Sequence, residues 1–257
     1  MAHLERDGRR IGYHVTGEGD PVLAFHGTTQ SGNAWDQVIA ASTARHSWVN
    51  VEFPGSGESS MPTGPIQLTD IVEDAVAAMD HLGHDRFHVV GYSLGAVAAL
   101  QCAAGFPERV RTVTSLCGWS RSDARMRATF GLWLKLIAVS PELFMHYAIV
   151  DGYTVPAIEM IEPIMDQAIS MAASTVQPGS AAHLELDSRI DIEDQLELVS
   201  APCLVIGGAE DRWVDIAHSR HLADRIRGAR LVELPAGHLV IGERAADIAA
   251  LLDDHMV

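Results

Sequence analysis

The run Val89-Val90-Gly91-Tyr92-Ser93-Leu94-Gly95-Ala96-Val97-Ala98-Ala99-Leu100 decides how the rest of the chain is read. Its β-branched opening, preceded by Phe87-His88, has the character of a buried strand, and its Ala- and Leu-rich close that of a helix. Between them lies Gly-x-Ser-x-Gly. A serine on so tight a strand-to-helix turn must take a strained backbone, tolerated only if its neighbours lack bulk, which accounts for Gly91 and Gly95 two residues to either side. The strain lifts the Ser93 hydroxyl out of the sheet, above the N-terminus of the following helix. The plainer alternative is a glycine-bordered turn whose serine only caps that helix.

Outward from this point, strands and helices alternate. Residues 3–16 predict a hairpin turning at Asp7-Gly8, and Val22–Phe25 a strand running into His26-Gly27-Thr28-Thr29. A helix over about 33–44, a strand over 47–53 and a loop Pro54-Gly55-Ser56-Gly57-Glu58-Ser59 follow. Thr69 is read as the N-cap of a helix reaching Leu82, and Val110–Leu116 as a further strand. From Gly118-Trp119 to about Asp187 the pattern predicts helices only: one over about 123–139, one capped by Ser140 with Pro141 at its first position, one over about 155–174, and a short one after Pro178-Gly179. Alternation resumes with strands Cys203–Gly208 and Arg230–Leu234 and helices over about 215–227 and 242–254. The expected fold is α/β: a mostly parallel central sheet flanked by helices, carrying an inserted all-helical segment. Ligands then gather beyond the carboxyl ends of the strands.

Composition narrows the classes of function. The chain has 257 residues, 47% of them hydrophobic, enough for a full core, and a formal net charge of −16. Such an acidic surface repels phosphate backbones and anionic bilayers, so neither nucleic acid nor membrane is expected as a partner, and a small-molecule substrate is. Cys102, Cys117 and Cys203 lie in apolar segments without metal or redox spacing. They are read as buried free thiols in a reducing compartment, and a cytoplasmic location is expected. No metal or other cofactor is called for, and nothing in the chain specifies an oligomeric state.

A serine hydroxyl needs a base, and the base an orienting acid. Among 13 histidines, His238 in Pro235-Ala236-Gly237-His238 follows the last strand and precedes the last helix. Its alternative is a loop histidine without a role; His218 and His221 fall on a helix, and His81, His84 and His88 precede the elbow. Asp211 follows the penultimate strand, with Glu210 and Asp215 as rivals, while Ser115-Leu116-Cys117-Gly118 offers no carboxylate. The oxyanion formed on attack needs two backbone donors, for which the amides of Leu94 and Thr28 are the candidates, with His26 a structural residue of its loop. In the helical segment, Phe130, Trp133, Met145 and Met165 are candidate pocket residues together with Tyr92, against the plainer reading that they pack helices.

The motifs His26-Gly27, Pro54-Gly55-Ser56-Gly57-Glu58-Ser59, Gly91-Tyr92-Ser93-Leu94-Gly95, Gly208-Ala209-Glu210-Asp211 and Gly237-His238 together resemble the α/β-hydrolase superfamily over nearly the whole chain. The order Ser, Asp, His is that of the family's serine branch. The resemblance implies a core of residues 1–118 and 188–257 and a helical lid of residues 119–187. Ser93 in place of an aspartate nucleophile argues against the dehalogenase and epoxide-hydrolase branches, and Glu52 departs from the aspartate many members carry before the Pro-Gly-x-Gly turn. It implies a serine hydrolase acting on a carboxylic ester, lactone or thioester of a small lipophilic substrate through an acyl-serine. Acyl transfer, carbon–carbon cleavage, elimination and cofactor-free perhydrolysis share these motifs, and a lidded ligand-binding receptor is a third class.

Overall fold

The structure is a computed structural model and describes residues 2–257. A hairpin of β1 (Ala2–Arg6) and β2 (Arg9–Thr16) turns through Asp7 and Gly8, both at positive φ. It leads into β3 (Asp20–Phe25), β4 (His46–Val51), β5 (Phe87–Tyr92), β6 (Val110–Leu116), β7 (Cys203–Gly208) and β8 (Arg230–Leu234). The eight strands form one sheet in the order β1-β2-β4-β3-β5-β6-β7-β8, with β1 and β2 antiparallel and every pair from β4 onward parallel. The central strands are covered on both faces, and their side chains alternate between two cores. Leu23, Phe25 and Val89 point to the face carrying α2 (Leu68–His81) and α3 (Leu94–Gly105). Val22, Ala24 and Val90 point to the face carrying α1 (Asp36–Ala41) and α10 (Val240–His255).

Between β6 and β7 the chain leaves the sheet for α4 (Ala124–Val139), α5 (Pro141–Gly152), α6 (Val155–Ile161), α7 (Met165–Ala173) and α8 (Ser180–Asp187). Asp123 caps α4, and Ser140 caps α5 with Pro141 in its first turn. The last crossover, between β7 and β8, is α9 (Ile216–Arg225).

Several boundaries differ from the sequence reading. The single helix expected over 155–174 is broken by a 3-10 turn at Glu162–Ile164, because Pro163 has no N–H to continue the ladder. Thr69 does not cap α2, which begins at Leu68 after an extended Gln67 that provides no side-chain bond. The helix expected over 33–44 is a 3-10 turn at Gly32–Trp35 followed by the short α1, and the last helix begins at Val240, two residues early.

Candidate active site

Three chain reversals at neighbouring strand ends hold non-glycine residues at positive φ: Thr29 after β3, Ser93 after β5 and Cys117 after β6. Strain of this kind costs on the order of 1–3 kcal/mol per residue and persists only where packing imposes it. At Ser93 the cause is visible. A Cβ on Gly91 would collide with the carbonyl of Gly95, and one on Gly95 with the carbonyls of Phe25 and His26. Only glycine lets β5, its turn and α3 approach one another and the β3 end this closely. Ser93 N–H is held by Leu116 O at 2.9 Å, and its own carbonyl begins α3.

His238 lies between β8 and α10. Its Nδ1–H donates to Asp211 Oδ2 at 2.6 Å, and Nε2 accepts from Ser93 Oγ at 3.0 Å. The tautomer follows from the carboxylate, which can only accept. Asp211 Oδ1 accepts from the amides of Trp213 and Val214, both at 2.9 Å, so its own loop fixes the orientation of the carboxylate. All three side chains are buried, with Ser93 8%, Asp211 6% and His238 3% exposed, so bulk water does not compete for these bonds. Tyr92 OH donates to the His238 carbonyl at 2.8 Å, and the Trp213 ring packs on the imidazole at 4.9 Å between centroids. Cys117 lies beside Asp211, and burial together with that carboxylate pushes its thiol well above the usual thiol range. Cys117, Asp211 and His238 bring donor atoms within 4.8 Å of one another, and Asp211 and His238 are already joined by their own hydrogen bond.

The rival residues have other partners. Asp215 caps α9 through the Ala217 amide, Glu210 is exposed, His218 meets Asp123 at 3.3 Å and His221 meets Glu193 at 3.0 Å. His26 donates from Nδ1 to Gly27 O at 2.8 Å and accepts from Phe53 N–H at Nε2 at 3.1 Å. Complete burial lowers its pKa to about 3, so it is a neutral strut between the β3 and β4 ends.

Among the described residues, the amides of Thr28 and Leu94 have no protein acceptor. The Thr28 hydroxyl donates to Asp187 Oδ2 at 2.7 Å, tying its turn to the end of α8. Asp187 has no exposure, and burial raises its pKa to about 8. Thr28, Tyr92, Ser93 and His238 border a cavity of about 100 Å³ closed by Trp133, Phe144, Met145, Ala148, Val176 and Trp213.

Two of the expected pocket residues lie elsewhere. Phe130 packs between Trp119 and Trp133, with ring centroids 6.1 and 5.7 Å away, and Met165 is half-buried at the start of α7 away from the cavity. The sequence reading assigns no site role to Trp213 or Asp187 and takes Cys117 only as a buried free thiol. A loop aspartate predicts an Asx turn to the amide two positions on, here that of Trp213, but nothing local turns the indole toward the imidazole.

Sheet order, strained serine turn and buried Ser–His–Asp contact define a class: an α/β enzyme fold whose polar centre sits at the strand ends. The model of the alpha/beta hydrolase family matches residues 22–251, and the chain belongs to that family. It is 28% identical over 250 residues to a pyrrolizixenacetamide deacetylase of Xenorhabdus hominickii, covering 95% of this chain and 93% of that protein. It is 27% identical over 232 residues to a 3-oxoadipate enol-lactonase of Acinetobacter baylyi, covering 89% and 86%. The enol-lactonase structure from Burkholderia xenovorans superposes with a TM-score of 0.86 at 22% identity and 99% coverage of both chains, a likeness of fold. Among the described residues, no helix is long and apolar enough to cross a membrane.

Proposed function

We propose that the chain cleaves a carboxylic ester, lactone or thioester through an acyl-Ser93 intermediate. The observation that carries this reading is the continuous relay from Ser93 Oγ through His238 to Asp211, at 3.0 and 2.6 Å. In the first half-reaction, Ser93 Oγ attacks the carbonyl carbon while His238 Nε2 takes its proton. The imidazolium then returns that proton to the departing oxygen or sulfur as the carbon–leaving-group bond breaks. In the second, water replaces Ser93 by the same proton path, releasing the acid and the free serine. Asp211 holds the tautomer and offsets the transient positive charge. The Thr28 and Leu94 amides, free of other partners, stabilise the oxyanion, a contribution of about 3–4 kcal/mol per donor in comparable sites.

Within residues 119–187, helices α4 and α5 and the 175–176 segment act as the lid, supplying the wall opposite Ser93. Lactone opening, the reaction that names the Acinetobacter relative, is of the kind this scheme describes. The test is stoichiometric labelling by an activated fluorophosphonate, located by mass spectrometry, alongside p-nitrophenyl ester hydrolysis. Label on Ser93, blocked in Ser93→Ala, is the expected result. Labelling elsewhere, or turnover that survives the substitution, overturns the proposal.

A further inference from the structure

A second cavity, of about 240 Å³, adjoins the one at Ser93. Gln30, Tyr92, Thr175 and Leu239 wall both, and the second continues past Asn33, Gln37 and Tyr153. The two lobes differ in size and in what closes them. The inner one is closed by Trp133, Phe144, Met145, Ala148, Val176 and Trp213, beside the polar Thr29, Gln30 and Thr175. At about 100 Å³ it is smaller than the roughly 150 Å³ apolar cavity that accepts benzene. The outer lobe presents hydrogen-bonding groups without protein partners among the described residues: Gln30 Nε2, Asn33 Nδ2, the Gln37 amide and the Tyr153 hydroxyl. The Gln30 side chain is oriented by its Oε1, which accepts the Gly27 amide at 3.0 Å and leaves the NH₂ end free at the junction.

Among the described residues, neither lobe is lined by a single Asp, Glu, Lys or Arg, in a chain that carries 18 basic and 34 acidic residues. The carboxylates placed behind the walls are already occupied. Asp151 accepts from Trp213 Nε1 and Tyr147 OH, and Glu243 from Thr154 and the Gly237 amide. An ionic substrate group would therefore lose hydration without gaining a counter-charge, and an anion would also meet the overall negative field.

We infer that the substrate is an uncharged two-part ester or thioester: a short acyl group in the inner lobe and a polar, non-ionic leaving group in the outer one. The assignment follows from room. Thr28, Ser93 and His238 wall the inner lobe, so the reacting carbonyl lies there; the remaining space admits a short acyl group, and the rest of the substrate extends past Gln30 and Leu239, which wall both lobes. This inference rests on the acyl-serine reading and adds to it the chemical class of both halves.

The test uses purified protein and three acetates of matched size, 4-carbamoylphenyl, 4-carboxyphenyl and 4-isopropylphenyl, with each kcat/KM divided by the ester's own hydroxide rate. The carbamoyl ester is expected to exceed the carboxylate by about tenfold or more and the isopropyl ester by a smaller factor. Gln37→Arg, on an exposed position of α1, is expected to raise the carboxylate-to-carbamoyl ratio about tenfold by supplying the missing counter-charge. In the acyl series, 4-carbamoylphenyl octanoate should fall about tenfold or more below the butanoate, and Met145→Ala should narrow that gap. A wild-type enzyme that takes the carboxylate as readily as the carboxamide, a ratio unmoved by Gln37→Arg, or an octanoate as good as the butanoate overturns the inference. Ser93→Ala run on the same esters separates the two claims: activity lost with serine but blind to these groups refutes only the substrate class, whereas activity that survives refutes the acyl-serine reading itself.

Discussion

The β5 turn with α3 and the insert, whose helices α4 and α5 wall the opposite side of the cavity, are built by different rules. Every residue from Phe87 to Leu100 is buried, and α3 is apolar on all sides because it is packed between the sheet and its neighbours. In the insert the burial is partial. Eight of the twelve large apolar side chains exposed among the described residues lie between Leu132 and Met171. The turn is specified by backbone fit, where the absence of two Cβ atoms sets the position of one hydroxyl. The insert is specified by side chains, whose identity sets what fits opposite that hydroxyl. Reaction geometry therefore tolerates little change, while substrate choice can drift at low cost in stability.

Substitutions on the two sides can break this comparison. The largest effect is expected for Ser93→Ala: ester turnover should fall by about 10³-fold or more, with the melting temperature nearly unchanged. Steady-state kinetics and a thermal melt on the same sample check both halves. Next comes Gly91→Ala, whose Cβ meets the Gly95 backbone; a loss of about 3 kcal/mol or more, or failure to fold, is expected by urea denaturation.

Asp187, which joins the two regions through Thr28, provides a test by pH. Burial raises its folded pKa from 3.8 to about 8, so its contribution is complete below its unfolded pKa and is lost as pH rises through the folded value. Asp187→Asn cannot ionise. Relative to the wild type it should gain about 2–4 kcal/mol of stability between pH 5 and pH 8, measured by denaturant melts across that range. The buried histidines act at the other end. His26, His88 and His183 have folded pKa values lowered by burial to about 3, 4 and 4, so their contribution is present above 6.5 and is lost as pH falls toward those values. The melting temperature should decline below pH 6.5 with net proton uptake on unfolding. The smallest effect is expected for Gly131→Ala in α4, where an added Cβ meets nothing within 4 Å. It should stabilise by about 0.5–1 kcal/mol, the opposite sign to the same change at Gly91.

What could be read before any coordinates follows the same division. Strands β3, β5 and β7 carry apolar runs ending at turn residues, so their place and the residues just past them, Thr28, Ser93 and Asp211, were legible from local pattern, as was His238 between the last strand and the last helix. Helix ends were less so. Pro163 was present to mark the break in the insert, but apolar spacing on both sides of it reads as one helix. The pocket was half legible: Tyr92, Trp133 and Met145 line it, whereas Phe130, one turn from Trp133 on α4, turns toward Trp119 instead.

By itself the sequence determined the alternation of elements, the glycine-framed serine and the chain order of the three polar residues. Each of these is written in spacing, in the period of strand and helix and in the two positions where a side chain cannot stand. Only the tertiary structure decided that Asp187 reaches the Thr28 turn, that Trp213 covers the imidazole, and that two charge-free cavities meet at Gln30. Those contacts join residues far apart in the chain, and which face a helix turns to its neighbour depends on how whole elements pack, a quantity no local stretch of sequence encodes.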